Sequence, residues 1–404
     1  MLNKNNFFKN FFLNSKKFNK NLKKTKKVFE NFKSDFKNFE LPLLDSYTEG
    51  YEFDFSSKTI KKFSKFKNIV IIGMGGSILG SKTIYSFFKE RVKKNVFFFD
   101  NLDNHLFIEF KKIQNIKNSC FIIISKSGNT IETLSNLGII FSKFSLIGKL
   151  VFITEFKANS LTNLANKLNS EIIEHKDYIV GRYSVLSEAG MFPAALMGLK
   201  INKFRNLQKM VTNKKFVTAL IQNIAAIYTL RTQGIKNSVI LNYDSSLNDL
   251  GSWYQQLVAE SLGKKKKGIN TILSSAPKDH HSLLQLYLDG PRDKFFTFFN
   301  SIDYKNNKFK ISKKIISNNT NFLRNKSLRS ILNAQSQATK HIFYLKKIPF
   351  REFTFKKNNE DELGMIFTFF VLETIILARM MNVNPFDQPA VEQVKIETKK
   401  ILSN

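Results

Sequence analysis

From about residue 67 the chain alternates short apolar runs with stretches of helical periodicity. The runs at 67–72, 95–99, 119–124 and 149–154 are the length of strands and rich in β-formers, and helical stretches separate them. The helix-like segment Glu188–Leu199 closes this unit near Gly198. After a helical bridge, a second alternation predicts strands at Ser238–Asn242, Thr271–Leu273 and Phe295–Phe299, with helices around 247–262 and 279–288. Long helices follow at roughly 322–345, 360–382 and 389–402. The fold class expected from this spacing is α/β: two doubly wound units with mostly parallel sheets and additional helices. The chain then divides into a basic helical segment (1–45), a first α/β unit (46–200) and a second with C-terminal helices (201–404).

Two apolar runs hand over to helices through loops with unusual chemistry. Gly73-Met74-Gly75-Gly76-Ser77 follows the first, and Ser125-Lys126-Ser127-Gly128-Asn129-Thr130 follows the third. At such a junction the free N–H groups and the helix dipole favour an anion. Glycine permits close backbone approach, hydroxyls donate hydrogen bonds, and Lys126 adds a full charge. Two such cradles in one chain point to a phosphorylated small molecule.

Composition removes several alternatives. At 404 residues and 43% hydrophobic, the chain has ample material for packed cores. Its one cysteine, Cys120, lies in an apolar strand-like run; it reads as a buried structural thiol in a reducing compartment. The formal charge of +32 would ordinarily suggest nucleic acid. The excess lies in Lys, spread along the chain with Asn, Phe and Ile, all residues of A/T-rich codons, and no zinc-finger or RNA-binding motif accompanies it. No specific nucleic-acid partner is expected. Residues 1–40 mix Lys, Asn and Phe without a secretory pattern and read as a packed or peripheral helix, with a membrane-surface or targeting helix as the other reading. Leu363–Met381 is apolar enough to consider as a membrane span, but Glu373 interrupts it near its centre, so a buried core helix is expected. A cytoplasmic protein with no membrane partner follows.

Four further segments carry chemistry. In Trp253–Lys264, Gln256 and Glu260 are four apart and share a helix face, which sets a carboxylate beside an amide; alone, such a Glu is usually a solvated one. Further on, Asp279-His280-His281 stands at a helix start, where neutral imidazole can move protons. No third ligand is spaced for a metal. Gly181-Arg182-Tyr183-Ser184 offers a guanidinium to a phosphate or developing oxyanion, a structural salt bridge being the other reading. Near the C-terminus, Gln388 precedes Lys395 by seven residues, with Pro389 between them at an expected helix start.

Taken together and in this order, these motifs resemble the glucose-6-phosphate isomerase family from about residue 68 to 396. The resemblance rests on the glycine loop Gly73–Gly80, Ser-Lys-Ser-Gly-Asn-Thr-Ile-Glu-Thr at 125–133, Gly-Arg-Tyr-Ser, Gln-Gln-x-x-x-Glu-Ser-x-Gly-Lys, His-x-x-x-Gln-Leu and Asp-Gln-x-x-Val-Glu-x-x-Lys. It implies two sugar-isomerase-type (SIS-like) domains that interconvert glucose 6-phosphate and fructose 6-phosphate in glycolysis and gluconeogenesis, without metal or cofactor. On the same resemblance, Glu260 is the base acting through a cis-enediol and Arg182 stabilises the enediolate, while His281 and Lys395 open and close the sugar ring. Ser125, Lys126, Ser127 and Thr130 hold the phosphate, and Gly76, Ser77, Gln256 and Gln388 contact the substrate. A homodimer is implied, with the ring-opening histidine reaching the other subunit's site. The motif places Gln285 four after the functional histidine, which favours His281 over His280. The chain departs from the family at Ser127-Gly128-Asn129, where many members carry Thr-Phe-Thr, and at Pro389-Ala390, where Trp-Gly is common. The alternatives are a dual phosphoglucose/phosphomannose isomerase and a non-catalytic phosphosugar-binding regulator.

Overall fold

The computed structural model describes Phe8 and residues 15–111, 116–143, 149–302 and 309–403. Five strands, β1 (Asn68–Gly73), β2 (Asn95–Phe99), β3 (Ser119–Ile124), β4 (Leu150–Thr154) and β5 (Glu171–Glu174), form one sheet in the order β2-β1-β3-β4-β5. Four more, β6 (Asn237–Asn242), β7 (Asn270–Ser275), β8 (Lys294–Ser301) and β9 (Phe350–Phe355), form a second in the order β7-β6-β8-β9. Every strand pair in both sheets is parallel. Each sheet is therefore wound outward in both directions from a pair with a switch point beside its first strand, β1/β3 and β6/β8. The expected α/β architecture is present. β1, β3 and β4 are buried throughout, so both faces are covered by helices and the sequence reads as continuous apolar runs rather than alternation.

Two strands escaped the sequence reading. β5 is four residues with a glutamate at each end, too short and too polar to stand out. β9 reads Phe350-Arg351-Glu352-Phe353-Thr354-Phe355 without a regular apolar alternation, and its buried positions are Arg351, Phe353 and Phe355. Helix boundaries also differ. The expected 279–288 helix is a tight turn, Lys278–His281, followed by a short helix, Leu284–Asp289. The expected 322–345 helix starts at Leu328, where Ser327 and Ser330 cap one another reciprocally. The last helix begins at Val391, so Pro389 lies outside it and Gln388 does not share a helix face with Lys395.

One buried cluster extends across both sheets and joins Ile69 and Ile122 of the first to Phe295 and Phe353 of the second through the helix Glu360–Met381. That helix is apolar enough to cross a membrane by composition, but its apolar window is 89% buried inside the protein, as expected for a core helix. Its Glu373 is paired with Arg351 of β9; both are fully buried, and Tyr254, Asn223 and Thr297 complete their hydrogen bonds. Cys120 is buried as expected, and burial pushes its thiol up to about 12. The N-terminal helix Lys16–Lys37 buries Asn21, Thr25, Phe29 and Phe32, spaced four, four and three apart on one face. Asn21 bonds Thr229 and Lys24 bonds the Met380 carbonyl, so this helix is packed onto the body. Of the residues before it, all but Phe8 and the capping Ser15 lie outside the described residues.

Candidate active site

The carboxyl edge of the first sheet gathers the loops that follow β1, β3, β4 and β5. This is where open parallel sheets bind ligands, beside the switch point. After β1 the chain enters a turn, Gly75–Ser77, and then the helix Leu79–Phe88, with Ser77 half-buried in the turn. Gly76 packs backbone to backbone against Gly181: a Cβ there would come 2.2 Å from the Gly181 carbonyl carbon. Gly75 has φ +53° and faces the Gln256 amide, which a Cβ would meet at 2.7 Å. These glycines are required for close approach rather than for flexibility.

After β3 the Ser125 hydroxyl bonds the Thr130 hydroxyl at 2.8 Å across the loop. Thr130 precedes the helix Ile131–Phe141 but does not cap it with its side chain, which leaves the first N–H groups of that helix without a side-chain acceptor. Gly128 has φ +66° and packs on Asn159, which caps the helix Ser160–Lys167 through Leu161 and Thr162. Ser160 donates to the Asn129 side-chain oxygen Oδ1 through its amide and its hydroxyl, and the Thr154 hydroxyl and the Glu155 amide both donate to the Lys126 backbone carbonyl. The loop is thus braced by the β4 connection. The Lys126 ammonium bonds the Asp177 carbonyl and lies 3.6 Å from Glu155; burial lowers its pKa, and Glu155 opposes that shift. Ser127 is exposed at the tip.

Arg182, on the turn Gly181–Leu186, is 1% exposed, and every one of its N–H groups has an acceptor. Nε donates to Ser261 at 2.9 Å; Nη1 donates to Glu260 at 3.1 Å and to Gln388 at 2.6 Å; Nη2 donates to the Pro385 and Asp387 carbonyls at 2.6 and 3.0 Å. Glu260 comes from the last turn of the helix Asn248–Leu262 and is 28% exposed. Its second oxygen accepts from Gln256 Nε2 at 2.8 Å, as the four-residue spacing leads one to expect. The remaining Gln256 atom, Oε1, is buried with no partner among the described residues. A buried acceptor left open in this way is suited to a ligand hydroxyl.

The structure therefore brings Arg182, Glu260, Gln256 and Gln388 together in front of Gly75 and Gly76, with the Ser125–Thr130 loop on the same sheet edge. His281 and Lys395 stand apart from them. His281 is exposed after β7, at the carboxyl edge of the second sheet. Glu260 lies at the far end of a helix ~22 Å long that starts from that edge and runs back antiparallel to β6. Lys395 is exposed on the helix Val391–Ser403, which buries no residue, and it pairs with Glu392 at 2.6 Å. Three residues around the cluster carried no assignment from the sequence: Ser261, Tyr183 and Lys264. Ser261 and Tyr183 hydrogen-bond one another at 2.8 Å behind the guanidinium. The sequence marked them only as fixed letters of the motifs that hold Arg182 and Glu260, with no role attached. Among the described residues no group of His, Cys, Asp and Glu is arranged for a metal ion.

The sequence pattern of the phosphoglucose isomerase family matches residues 52–404. A glucose-6-phosphate isomerase of Methanocaldococcus jannaschii is 34% identical over 366 residues, 87% of this chain and 89% of that protein. Another from Campylobacter jejuni is 30% identical over 364 residues, again 87% and 89% of the two. Among solved structures, a hypothetical protein of Thermus thermophilus superposes with a TM-score of 0.80 at 21% identity, covering 98% of this chain and 97% of its own. A glucose-6-phosphate isomerase of Chlamydia trachomatis superposes with a TM-score of 0.69 at 19% identity, covering 86% and 72%. These two likenesses establish the shared fold.

Proposed function

The chain belongs to the phosphoglucose isomerase family, and from that premise we propose that it interconverts glucose 6-phosphate and fructose 6-phosphate, as an aldose–ketose isomerase, by proton transfer at the Glu260–Arg182 pair. The sugar phosphate binds the Ser125–Thr130 loop, where hydroxyls, the Lys126 charge and the uncapped helix N-terminus meet the anion. This contact, remote from the reacting carbons, holds C1 and C2 in register with the carboxylate. Glu260 removes the C2 proton of the open-chain aldose, and electrons move into the C1 carbonyl to give a cis-enediol(ate). The same carboxyl returns the proton to C1; the C2 hydroxyl loses its proton to become the ketone oxygen and O1 gains one to become the C1 hydroxyl, the two oxygens exchanging that proton with solvent. The Arg182 guanidinium stabilises the oxygen that gains charge, and its full set of hydrogen bonds holds it in place before the substrate arrives. Gln256 Oε1 receives a sugar hydroxyl.

Ring opening needs a proton donor and acceptor at the ring oxygen, and His281 takes this role from a second copy of the chain. The separation of His281 from Glu260 along one chain and the exposure of His281 support this arrangement. Lys395 joins it when its helix, free of buried contacts here, lies against the assembled site. The exposed edge residues Ile272 and Leu273 of β7 give a second copy apolar surface near His281.

The observation that carries the reading is the meeting of a carboxylate and a guanidinium, one from each α/β unit, at 3.1 Å beside an open buried acceptor. The test is Glu260→Gln. The expected result is a fall in kcat of ~10²–10⁴-fold with loss of C2-proton exchange into deuterated solvent. Near-normal turnover or retained exchange would overturn the assignment.

A further inference from the structure

Lys264 follows the helix of Glu260 directly, four residues after the carboxylate, with Gly263 between it and the helix end. Its ammonium reaches across to the segment Asn384–Gln388, which crosses the mouth of the site. It donates to the Asn384 carbonyl, to the Asp387 carbonyl at 2.6 Å and to Asp387 Oδ1 at 2.8 Å. Its three donors are thereby matched by three acceptors on one short stretch of chain. The side chain is only 12% exposed. Burial lowers its pKa and the Asp387 carboxylate counters this.

That same segment is what holds Arg182. The Asp387 carbonyl accepts from Lys264 and from Arg182 Nη2 at once; Pro385 O accepts from Nη2 and Gln388 Oε1 from Nη1. Among the described residues, Arg182 has five bonds, and three end on Pro385, Asp387 and Gln388. The remaining tethers of this stretch to the body include the Tyr183 hydroxyl on Pro385 O and a Phe386 ring contact with Tyr183. An ammonium drawn from water onto backbone carbonyls is expensive unless it fixes something, and here it fixes the chain that aims the guanidinium.

We propose that Lys264 is a positioning residue for isomerisation: by clamping Asn384–Gln388 from the end of the Glu260 helix, it sets Arg182 against the carbon pair on which Glu260 acts. It ties base and guanidinium to a common anchor, so that one element moves both. The proposal rests on the assignment of Glu260 and Arg182 above. Without the clamp the segment retreats and Arg182 loses three acceptors, while the phosphate loop, on a separate connection, keeps its grip.

Lys264→Met keeps the length of the stem and removes the donors. Its kcat is expected to fall ~10–100-fold, the scale of a misplacement of about an ångström, with KM within about threefold of the parent. Because Met could also loosen the fold, Lys264→Cys provides a second arm. Alkylation with 2-bromoethylamine rebuilds an ammonium at almost the lysine length, and Cys120, buried with its thiol at about 12, stays unmodified. Alkylation should restore most of the kcat lost in Lys264→Cys. In the double variant with Arg182→Lys, loss of Lys264 should cost far less than it does in the parent, because the two act as one unit. Parent-like kcat in a folded Lys264→Met, failure of alkylation to rescue a folded Lys264→Cys, or full additivity with Arg182→Lys would each overturn the proposal. If instead Glu260→Gln were fully active, the underlying site assignment would fall, whatever Lys264 does.

Discussion

Arg182 Nη1 and Glu260 Oε2 lie 3.1 Å apart although 78 residues separate them and each belongs to a different α/β unit. The guanidinium is wholly buried while the carboxylate is partly open, so the pair meets solvent through its acidic member. The carboxylate proposed to move the proton is accessible, and its guanidinium partner is fixed behind it.

Replacing Arg182 by Lys tests whether fixed geometry or mere charge is needed. An ammonium has three donors on a flexible stem and cannot supply the five bonds that end on Ser261, Glu260, Gln388, Pro385 and Asp387. We expect Arg182→Lys to lower kcat by ~10²–10³-fold in an assay coupled to fructose 6-phosphate. Turnover within threefold of the parent would show that charge alone suffices.

Thr130 joins Ser125 across the loop proposed to hold the phosphate. Thr130→Val removes that bond and one donor to the anion while preserving shape. At ~1 kcal/mol for a lost hydrogen bond, KM for the sugar phosphate and the inhibition constant for inorganic phosphate should rise together ~5–10-fold. A rise in neither places phosphate elsewhere.

Mixed oligomers test the source of the ring-opening group. Glu260→Gln and His281→Asn should each be inactive alone. If every site pairs Glu260 of one copy with His281 of another, co-refolded mixtures regain activity, because one site per mixed dimer has both native residues. Mixtures as inactive as their parents would place both groups in one chain.

His175 supplies a pH dependence of stability. It lies at the end of β5, 1% exposed, with Nε2 unpartnered among the described residues, and Lys126 and Glu155 are the charges nearest its ring. Desolvation is the main cause that brings its pKa down to about 4 from the usual 6.5. The unfolded chain takes up this proton first as the pH falls. The stability carried by the neutral ring is therefore complete above pH 6.5 and drains away toward pH 4, ~3 kcal/mol across that window. His175→Gln should flatten the fall in urea midpoint between pH 7 and pH 4.5. An unchanged slope would assign the acid sensitivity to other groups.

The central strands β1, β3 and β4 were legible because burial on both faces writes unbroken apolar runs, as in Ile69–Ile72 and Phe121–Ile124. β9 was not, because its inward face carries Arg351, a charge that looks wrong for a core until its partner Glu373 is seen 22 residues later. Each of the two breaks its own hydrophobic pattern, and each is accounted for only by the other. The helical pairing of Gln256 with Glu260 was readable from a spacing of four. The convergence of Arg182, Gln388 and Glu260 was not, since a contact across 206 residues leaves no periodic trace; motif resemblance alone brought them into one set. Lys264 was visible as a motif letter, but its contacts were not, for a related reason: the residues it holds are 120 and 123 positions away.

Gly73 lies against the Ile124 carbonyl, where a Cβ would stand at 2.9 Å, and Gly76 lies against Gly181. The anion cradle, the glycine turn and the arginine turn thus abut main chain to main chain, with no side chain between them to act as a spring. With the sugar phosphate bound as proposed, the site works as a ruler of set length. It should reject a sugar phosphate one carbon shorter, because no part of it can slide to take up the slack.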